Sequence, residues 1–585
     1  MCGIFSLLNV NKPTEEPLMS EIDKQFQKGK KRGPEYSKLE HKDNNLILGF
    51  HRLAINGLNE ISNQPIEYKG ISLICNGEIY NYKQLYNYMN VIPFTNSDCE
   101  VIIHLYIKYG IEQTLLMLDG VFSFILYDNS ETSVVKNTLY VARDPLGIRP
   151  LYILHEPKQQ KKFYNQYIGL ASELKCLEYF YNDLGLGKLG YNIEQFEPGT
   201  YSTYTFELDN DHYWKPTICN KKYYIPIFSY SIITSDIHKT RLEIQNNISY
   251  YLNSAIIKRC STTERPVACL LSGGLDSSLI AALVADYFRE KGQIIETYSI
   301  GLAESEDIKY AKIVADYIGS KHTEVIVTEE DMCKAIPEVI KAIESYDTTT
   351  VRASIGNYLI GKYISEHSEA KVIFNGDGSD ELFGGYLYMN KCPDDIEFDK
   401  ETRRLLKDIH LFDVLRSDKS ISSNGLEPRT PFLDKTFVNY VLSIPPYFRN
   451  HNNVKQSEKY LLRSSFKHLF YEDYLGRQVL PDKILFRKKE AFSDGVSSQG
   501  RPLYKILQDY CANELNKQKL QYKENERIIF QPDIFAEKIY YQSIFAEEFP
   551  NCQHIVPYFW MPKYTNATDP SARTLDVYSD SFNNN

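Results

Sequence analysis

Short apolar runs broken by turn residues fill the first third of the chain. LILGF (46–50), ISLICN (71–76), VFSFILYD (121–128), TLYVARD (138–144) and YIGLAS (167–172) are rich in β-branched and aromatic residues. Asn44, Asn45, Gly77, Gly120, Asp128, Asn129, Pro145 and Gly147 bound them, and such residues favour turns. The runs therefore predict strands. Helical pattern intervenes at 97–109 (SDCEVIIHLYIKY), with Ser97 placed to cap it and Glu100 to close a capping box. Residues 2–206 read as an α+β layered domain. The polar stretch 156–166 reads as a solvated loop, and 207–240, rich in Asn, Asp, Pro and Ser, as a linker.

Beyond the linker the rhythm changes. VACLL (267–271) is a continuous apolar run of the kind buried in parallel sheets. SSLIAALVADYF (277–288) follows, with Leu279, Ile280, Leu283, Val284 and Tyr287 on one helical face. A strand at 294–302, a helix around 306–318, a strand at 323–328, a further helix and the strand KVIF (371–374) continue the alternation. Alternating strands and helices predict a parallel α/β sheet in a domain spanning 241–560, with its site beyond the strand C-termini. From residue 400 the pattern is mainly helical, and 561–585 reads as a disordered tail.

Composition narrows the function classes. The 585 residues carry 66 Lys+Arg against 76 Asp+Glu, a net charge of −10, which argues against nucleic acid as a partner over the whole surface. No apolar run approaches the roughly 20 residues of a membrane helix, and MCGIFSLLNV lacks the basic leader and cleavage site of a secretory signal. The 11 cysteines are scattered without a CxxC pair, which gives a zinc site little support and suits a reducing, cytoplasmic setting.

Two loops carry the candidate chemistry of the second domain. Ser272–Ser278 reads SGGLDSS between a buried strand and a helix. Adjacent glycines let backbone approach a ligand, and N–H groups and hydroxyls at a helix start suit a phosphate. Asp276 within it makes sense if Mg²⁺ bridges carboxylate and phosphate. KVIF then feeds NGDGSDELFGG (375–385). Either loop alone also reads as a glycine turn with solvated polar residues. Together they favour one nucleotide site with Asp276 and Asp380 on metal.

At the other end, removal of Met1 would make Cys2 an N-terminal nucleophile. Its own α-amino group, with an ordinary pKa near ~7.7–8.0, would then serve as base. An incidental cysteine in a buried start is the plainer reading of the terminus alone. RGPE (32–35), HRLAI (51–55), NGEIYN (76–81) and SDCE (97–100) shift the balance, because each puts polar groups at a strand or helix edge.

With LDGVFSF (118–124) and ARDPLGIRPLY (142–152), these segments resemble the glutaminase domain of class II amidotransferases, which are N-terminal nucleophile hydrolases. LLSGGLDSS resembles the pyrophosphatase loop of adenylate-forming ligases. YDTTTVRAS (346–354), DGSDELFGGYLY (377–388), EPRTPFLDK (427–435), SEKYLLR (457–463) and RKKEAFSDGV (487–496) are similar to the glutamine-hydrolysing asparagine synthetases. The resemblance implies a four-layer αββα glutaminase followed by an α/β ATP-pyrophosphatase-type synthetase domain. It implies small-molecule substrates (glutamine, aspartate and ATP), Mg²⁺ as cofactor, and a homodimer as one allowed assembly.

It also implies roles for residues. Cys2 would attack the glutamine amide, and the Asn76 side chain and Gly77 N–H would form the oxyanion hole. Arg52 would clamp the α-carboxylate, and Glu78 and Asp98 would hold the α-ammonium. ATP would bind through Leu270, Ser272, Gly273, Gly274, Asp276, Ser277, Ile300, Asn375 and Gly376, with Mg²⁺ on Asp276 and Asp380. Lys459 would stabilise charge on the transferring phosphate, and Thr349, Arg352 and Asp377 would meet aspartate or the intermediate. The family pattern at 375–378 is Ser-Gly-Glu-Gly; here Asn375 replaces the hydroxyl and Asp377 shortens the carboxylate. Two competing readings are a β-lactam-forming synthetase, whose relatives lack the N-terminal cysteine, and a catalytically idle homologue acting as a binding protein.

Overall fold

The structure, a computed structural model, describes all residues except 11–15, 132–136, 157–166, 208–211, 225–236, 491–494, 498–499, 523–529, 577 and 579–585. The loop expected at 156–166 thus lies almost wholly outside the described residues. The N-terminal strands are β1 (Gly3–Leu8), β2 (Tyr36–Lys42), β3 (Leu46–Arg52), β4 (Ile66–Tyr68), β5 (Ile71–Ile79), β6 (Gly120–Asp128), β7 (Thr138–Arg143), β8 (Tyr152–His155), β9 (Ile168–Ala171), β10 (Asn192–Gln195), β11 (Thr200–Glu207) and β12 (Tyr213–Lys222). They form two antiparallel sheets, ordered β10-β8-β9-β1-β3-β2 and β12-β11-β7-β6-β5-β4.

Strand alternation decides the layering. On β1, Ile4 and Leu8 join Ile74, Ile125 and Val141 between the sheets, while Phe5 and Leu7 turn to Ile22 and Phe26 of the outer helix Glu16–Gln27. On the far side, Leu73, Phe122 and Phe124 pack on the helices Tyr82–Met89 and Val101–Met117. The result is helix, sheet, sheet, helix.

The second domain centres on a parallel sheet ordered β15-β14-β13-β16-β17. Its strands are β13 (Val267–Leu270), β14 (Glu296–Gly301), β15 (Lys321–Ile326), β16 (Val372–Phe374) and β17 (Glu427–Arg429). β13 and β16 are neighbours, so the loops after them emerge side by side, as the alternation predicts. No helix among the described residues is long and apolar enough to cross a membrane.

Three expectations are corrected. The linker at 207–240 contains β12, an edge strand whose Trp214 is fully buried and bonds Asn9 and Asn44. The disordered tail at 561–585 begins too early, because Asp569 and Leu575 are buried and Ala572–Thr574 forms a 3₁₀ turn. Ser97 does cap, accepting from Cys99 N, but Glu100 closes no capping box. Its carboxylate turns back to Phe94 N, Thr95 and His104.

The domains meet across buried ion pairs. Arg32 bonds Glu173 at 2.9 Å and Asp418 at 2.8 Å, and Arg149 joins Asp418 at 3.3 Å. Arg429 reaches Glu427 at 2.8 Å and Glu78 at 3.3 Å. These groups are almost inaccessible to water, where each unpaired charge would be costly.

Candidate active sites

The first site collects at the open ends of β1, β3 and β5. Cys2 precedes β1, and its Sγ lies 3.8 Å from Leu53 O. Burial pushes its thiol up, opposed by the neighbouring N-terminal ammonium and Arg52. Met1 is present and buried, with its ammonium 3.8 Å from Glu427. Burial lowers the pKa of that amine. In this form the Cys2 nitrogen is an amide and cannot serve as a base.

Asn76 is fully buried, yet its Oδ1 has no partner and its Nδ2 reaches only Ser172 Oγ, at 3.5 Å. The long 3.5 Å bond leaves the Nδ2 donor of this buried amide weakly held, which suits a donor to an oxyanion. Gly77 follows it on β5. Glu78 and Asp98 are both buried, and Asp98 accepts Ile79 N at 2.6 Å. Burial raises both carboxyl groups; Asp98 reaches about 6, and the Asp98 charge raises Glu78 further. Two such carboxyls suit an ammonium ligand. Arg52 is placed differently from expectation. Its terminal nitrogens bond Asn59 O, Asn63 Oδ1, Asn56 O and Gly57 O. It staples the 56–63 loop, and a substrate carboxylate would have to share those donors.

The second site is a cavity of about 200 Å³ at the ends of β13, β14 and β16. Leu270, Ser272, Gly274, Asp276, Ser277, Ile300, Thr349, Asn375, Gly376, Asp377, Asp380 and Lys459 line it. Gly273 stands behind the lining at φ 72°, where a side chain would strike the Tyr310–Ala311 backbone. Ser272 and Ser277 hydroxyls bond each other at 2.9 Å and tie the loop to the start of the helix Leu275–Arg289. Thr349 Oγ1 is buried without a partner. Arg352 is not in the cavity. It is buried against Glu537 and Asp569, at 2.6 and 2.7 Å, and its donors clamp helices to the C-terminal segment.

Charge inside the cavity is densely paired. Lys459 Nζ lies 2.6 Å from both Asp276 and Asp380. Lys489, which sequence reading missed, lies 2.6 Å from Asp380 and 3.8 Å from Asp276. Burial opposes the Asp380 charge, but the two lysines prevail and hold it below the usual carboxylate range. Asp377 has its carboxyl raised by burial, against Arg416 at 3.4 Å. Arg416 also holds Asp413 at 2.7 Å and was likewise missed. No alternation or turn signal distinguishes these basic residues from surface ones; the two consecutive lysines after Arg487 in an otherwise apolar-flanked stretch were the available hint.

Fold and sites together define a two-centre enzyme class, a glutaminase-type domain joined to an ATP-using synthetase domain. A glutamine amidotransferase domain model matches residues 1–185, and an asparagine synthase model matches 248–396 and 390–554. The chain is 38% identical over 600 residues to "Asparagine synthetase [glutamine-hydrolyzing]" of Gallus gallus, and 37% identical over 599 residues to that of Homo sapiens. Each alignment covers 99% of both chains. The chain belongs to the glutamine-hydrolysing asparagine synthetase family. Among solved structures, an NMN synthetase from Francisella tularensis aligns with 55% of this chain and 98% of its own, at TM-score 0.23 and 12% identity.

Proposed function

We propose that the chain makes asparagine from aspartate, drawing nitrogen from glutamine and energy from ATP, with the two sites dividing the work. In the first site, the Cys2 thiolate adds to the side-chain amide carbon of glutamine once Met1 is removed. The α-amine takes the thiol proton and returns it to the departing nitrogen. Ammonia leaves, and water hydrolyses the thioester to glutamate. Asn76 and Gly77 donate to the oxyanion, where each such donor contributes ~2.7–4 kcal/mol. Glu78 and Asp98 orient the substrate ammonium.

In the second site, an aspartate β-carboxylate oxygen attacks the α-phosphorus of ATP. The bond to the β-phosphate breaks, pyrophosphate leaves and β-aspartyl-AMP remains. Ammonia then adds to the β-carbonyl and AMP departs. The 272–278 loop cradles phosphate, and Lys459 with Lys489 balances the charge of the leaving pyrophosphate. Arg416 and Asp377 stand where the amino-acid end would lie. Asp276 and Asp380 offer hard oxygen ligands from two loops, which suits Mg²⁺ carried with phosphates. When bound, the metal would neutralise phosphate charge during transfer. The observation that carries the reading is the meeting of these two acidic, lysine-paired loops in one cavity.

The test is Cys2→Ala. It should abolish glutamine hydrolysis and glutamine-dependent synthesis, while pyrophosphate release with aspartate, ATP and ammonium persists. Loss of the ammonium-dependent reaction as well would overturn the division of labour.

A further inference from the structure

All four residues of the segment Arg487–Glu490 line the cavity, and of them Lys489 reaches the two loop carboxylates. Arg487 pairs with Asp307 at 2.9 Å and lies over the Tyr310 ring at 4.0 Å. Beside Lys459, Lys489 lies 2.6 Å from Asp380 and 3.8 Å from Asp276. The residues on either side of it are gripped from the C-terminal segment. Glu490 accepts Arg573 Nε at 2.7 Å and Tyr578 OH at 3.0 Å. The Lys488 ammonium lies 5.6 Å from the centroid of the Tyr578 ring, a cation–π distance.

The gripping segment is itself anchored. Asp569 bonds Arg352 at 2.7 Å and Gln508 at 2.8 Å, inside a buried cluster with Glu537. Leu575 is buried beside Trp560, which also lines the cavity. A lysine has a long stem with large rotamer freedom. Holding the neighbours on both sides fixes the backbone from which that stem departs.

We propose that Arg573 and Tyr578, on the segment anchored by Asp569 and Leu575, are positioning residues for the Lys489 ammonium in the synthetase site. They act on the lysine through Glu490 and Lys488. This rests on reading the cavity as an adenylating site. It predicts a synthetase centre that depends on a segment lying outside the matched 248–554 region.

The experiment compares Arg573→Gln, Arg573→Lys, Glu490→Gln and the Arg573→Gln/Glu490→Gln double variant. Arg573→Gln should lower kcat for aspartate-dependent pyrophosphate release by about ten- to a hundredfold, the scale of loss from a misplacement near 1 Å. Glutamine hydrolysis should stay within about twofold. The double variant should be no worse than the more damaged single, as expected of partners in one contact. Arg573→Lys should recover most of the rate. Independently of turnover, Lys489 should react faster with an amine-directed N-hydroxysuccinimide ester in Arg573→Gln than in the parent, read by peptide mass spectrometry without nucleotide. Unchanged labelling at Lys489 would overturn the proposal, and so would additive losses or a fall shared equally by glutamine hydrolysis. If the parent released no pyrophosphate, the adenylating reading would fail, and the labelling would still decide whether the C-terminal segment holds the lysine.

Discussion

Asp98 has an ordinary carboxyl pKa of 3.8 that burial lifts to about 6. Between those values the folded, ligand-free protein keeps a proton that the unfolded chain releases. Asp98 therefore lowers stability as pH rises through that window, and its full cost stands above about 6. An ammonium ligand reverses the balance by favouring the ionised form. Glutamine binding should accordingly weaken as pH falls below about 6, and Asp98→Asn should raise KM and remove that limb. A pH series of glutamine hydrolysis for both proteins checks it; an unchanged limb in the variant would assign the titration elsewhere. Asp276 stood out in the sequence because SGGLDSS surrounds it with glycines and hydroxyls, whereas Cys2 sits in an apolar run and Asp98 drew notice only through the family resemblance. Arg352 was misplaced by that resemblance. Its motif lies on the helix Thr348–His367, whose Thr349 does reach the cavity, but three positions further on the side chain points into an ion cluster behind it.

At the scale of elements, the second site depends on how closely two loops approach. A Cβ at Gly376 would sit 2.8 Å from the Asp276 carbonyl carbon and from Ser277 N, too close for either backbone to accept. Gly376→Ala should push the loops apart and cut pyrophosphate release by about a hundredfold, with glutamine hydrolysis unaffected. Parallel assays on one preparation separate the two, and equal activity in both would mean the loops can yield. The strands flanking these loops were readable from apolar runs, since burial on both faces leaves little room for polar positions. β2 (YSKLEHK) and β12 (YWKPTICNKK) were not. Both are edge strands, and on β12 most residues beyond Trp214 face solvent, so its lysines and Pro216 look like linker. β17 was hidden because three residues, EPR, give no period at all.

For the whole molecule, the join between domains sets buried ion pairs within shared apolar clusters, where Leu53, Ile55, Tyr80, Val121 and Ile148 pack with Ile256, Leu279 and Phe432. Asp418 serves Arg32 and Arg149 together, with all three at most 1% exposed. Asp418→Asn should leave buried positive charge uncompensated and cost about 3–5 kcal/mol. Scanning calorimetry should register a clearly lowered transition; a shift under about 2 °C would mean that water or rearrangement relieves the charge. Domain order, an α+β first domain and the parallel sheet were foreseeable from the change of rhythm along the chain, whereas the four-layer αββα arrangement came only with the family resemblance. The join was not, because its charges come from Arg32, Arg149, Glu173, Asp418 and Glu427, far apart in sequence and each unremarkable alone.

The C-terminal grip on the Arg487–Glu490 segment has a consequence for how the molecule comes into being. Synthesis runs from the N-terminus, at about 5–20 residues per second. The layers bearing Cys2 end with β12, at Lys222, whereas Arg573 and Tyr578 follow some 350 residues later. For an interval on the order of tens of seconds, a nascent chain would carry the donor half with no finished place to spend the nitrogen. The partners that Glu78 and Arg32 need, Arg429 and Asp418, also emerge only in that later stretch. Order of manufacture thus sets the order of completion: the donor half emerges first but stays without its charge partners, and the last turns of chain complete the acceptor.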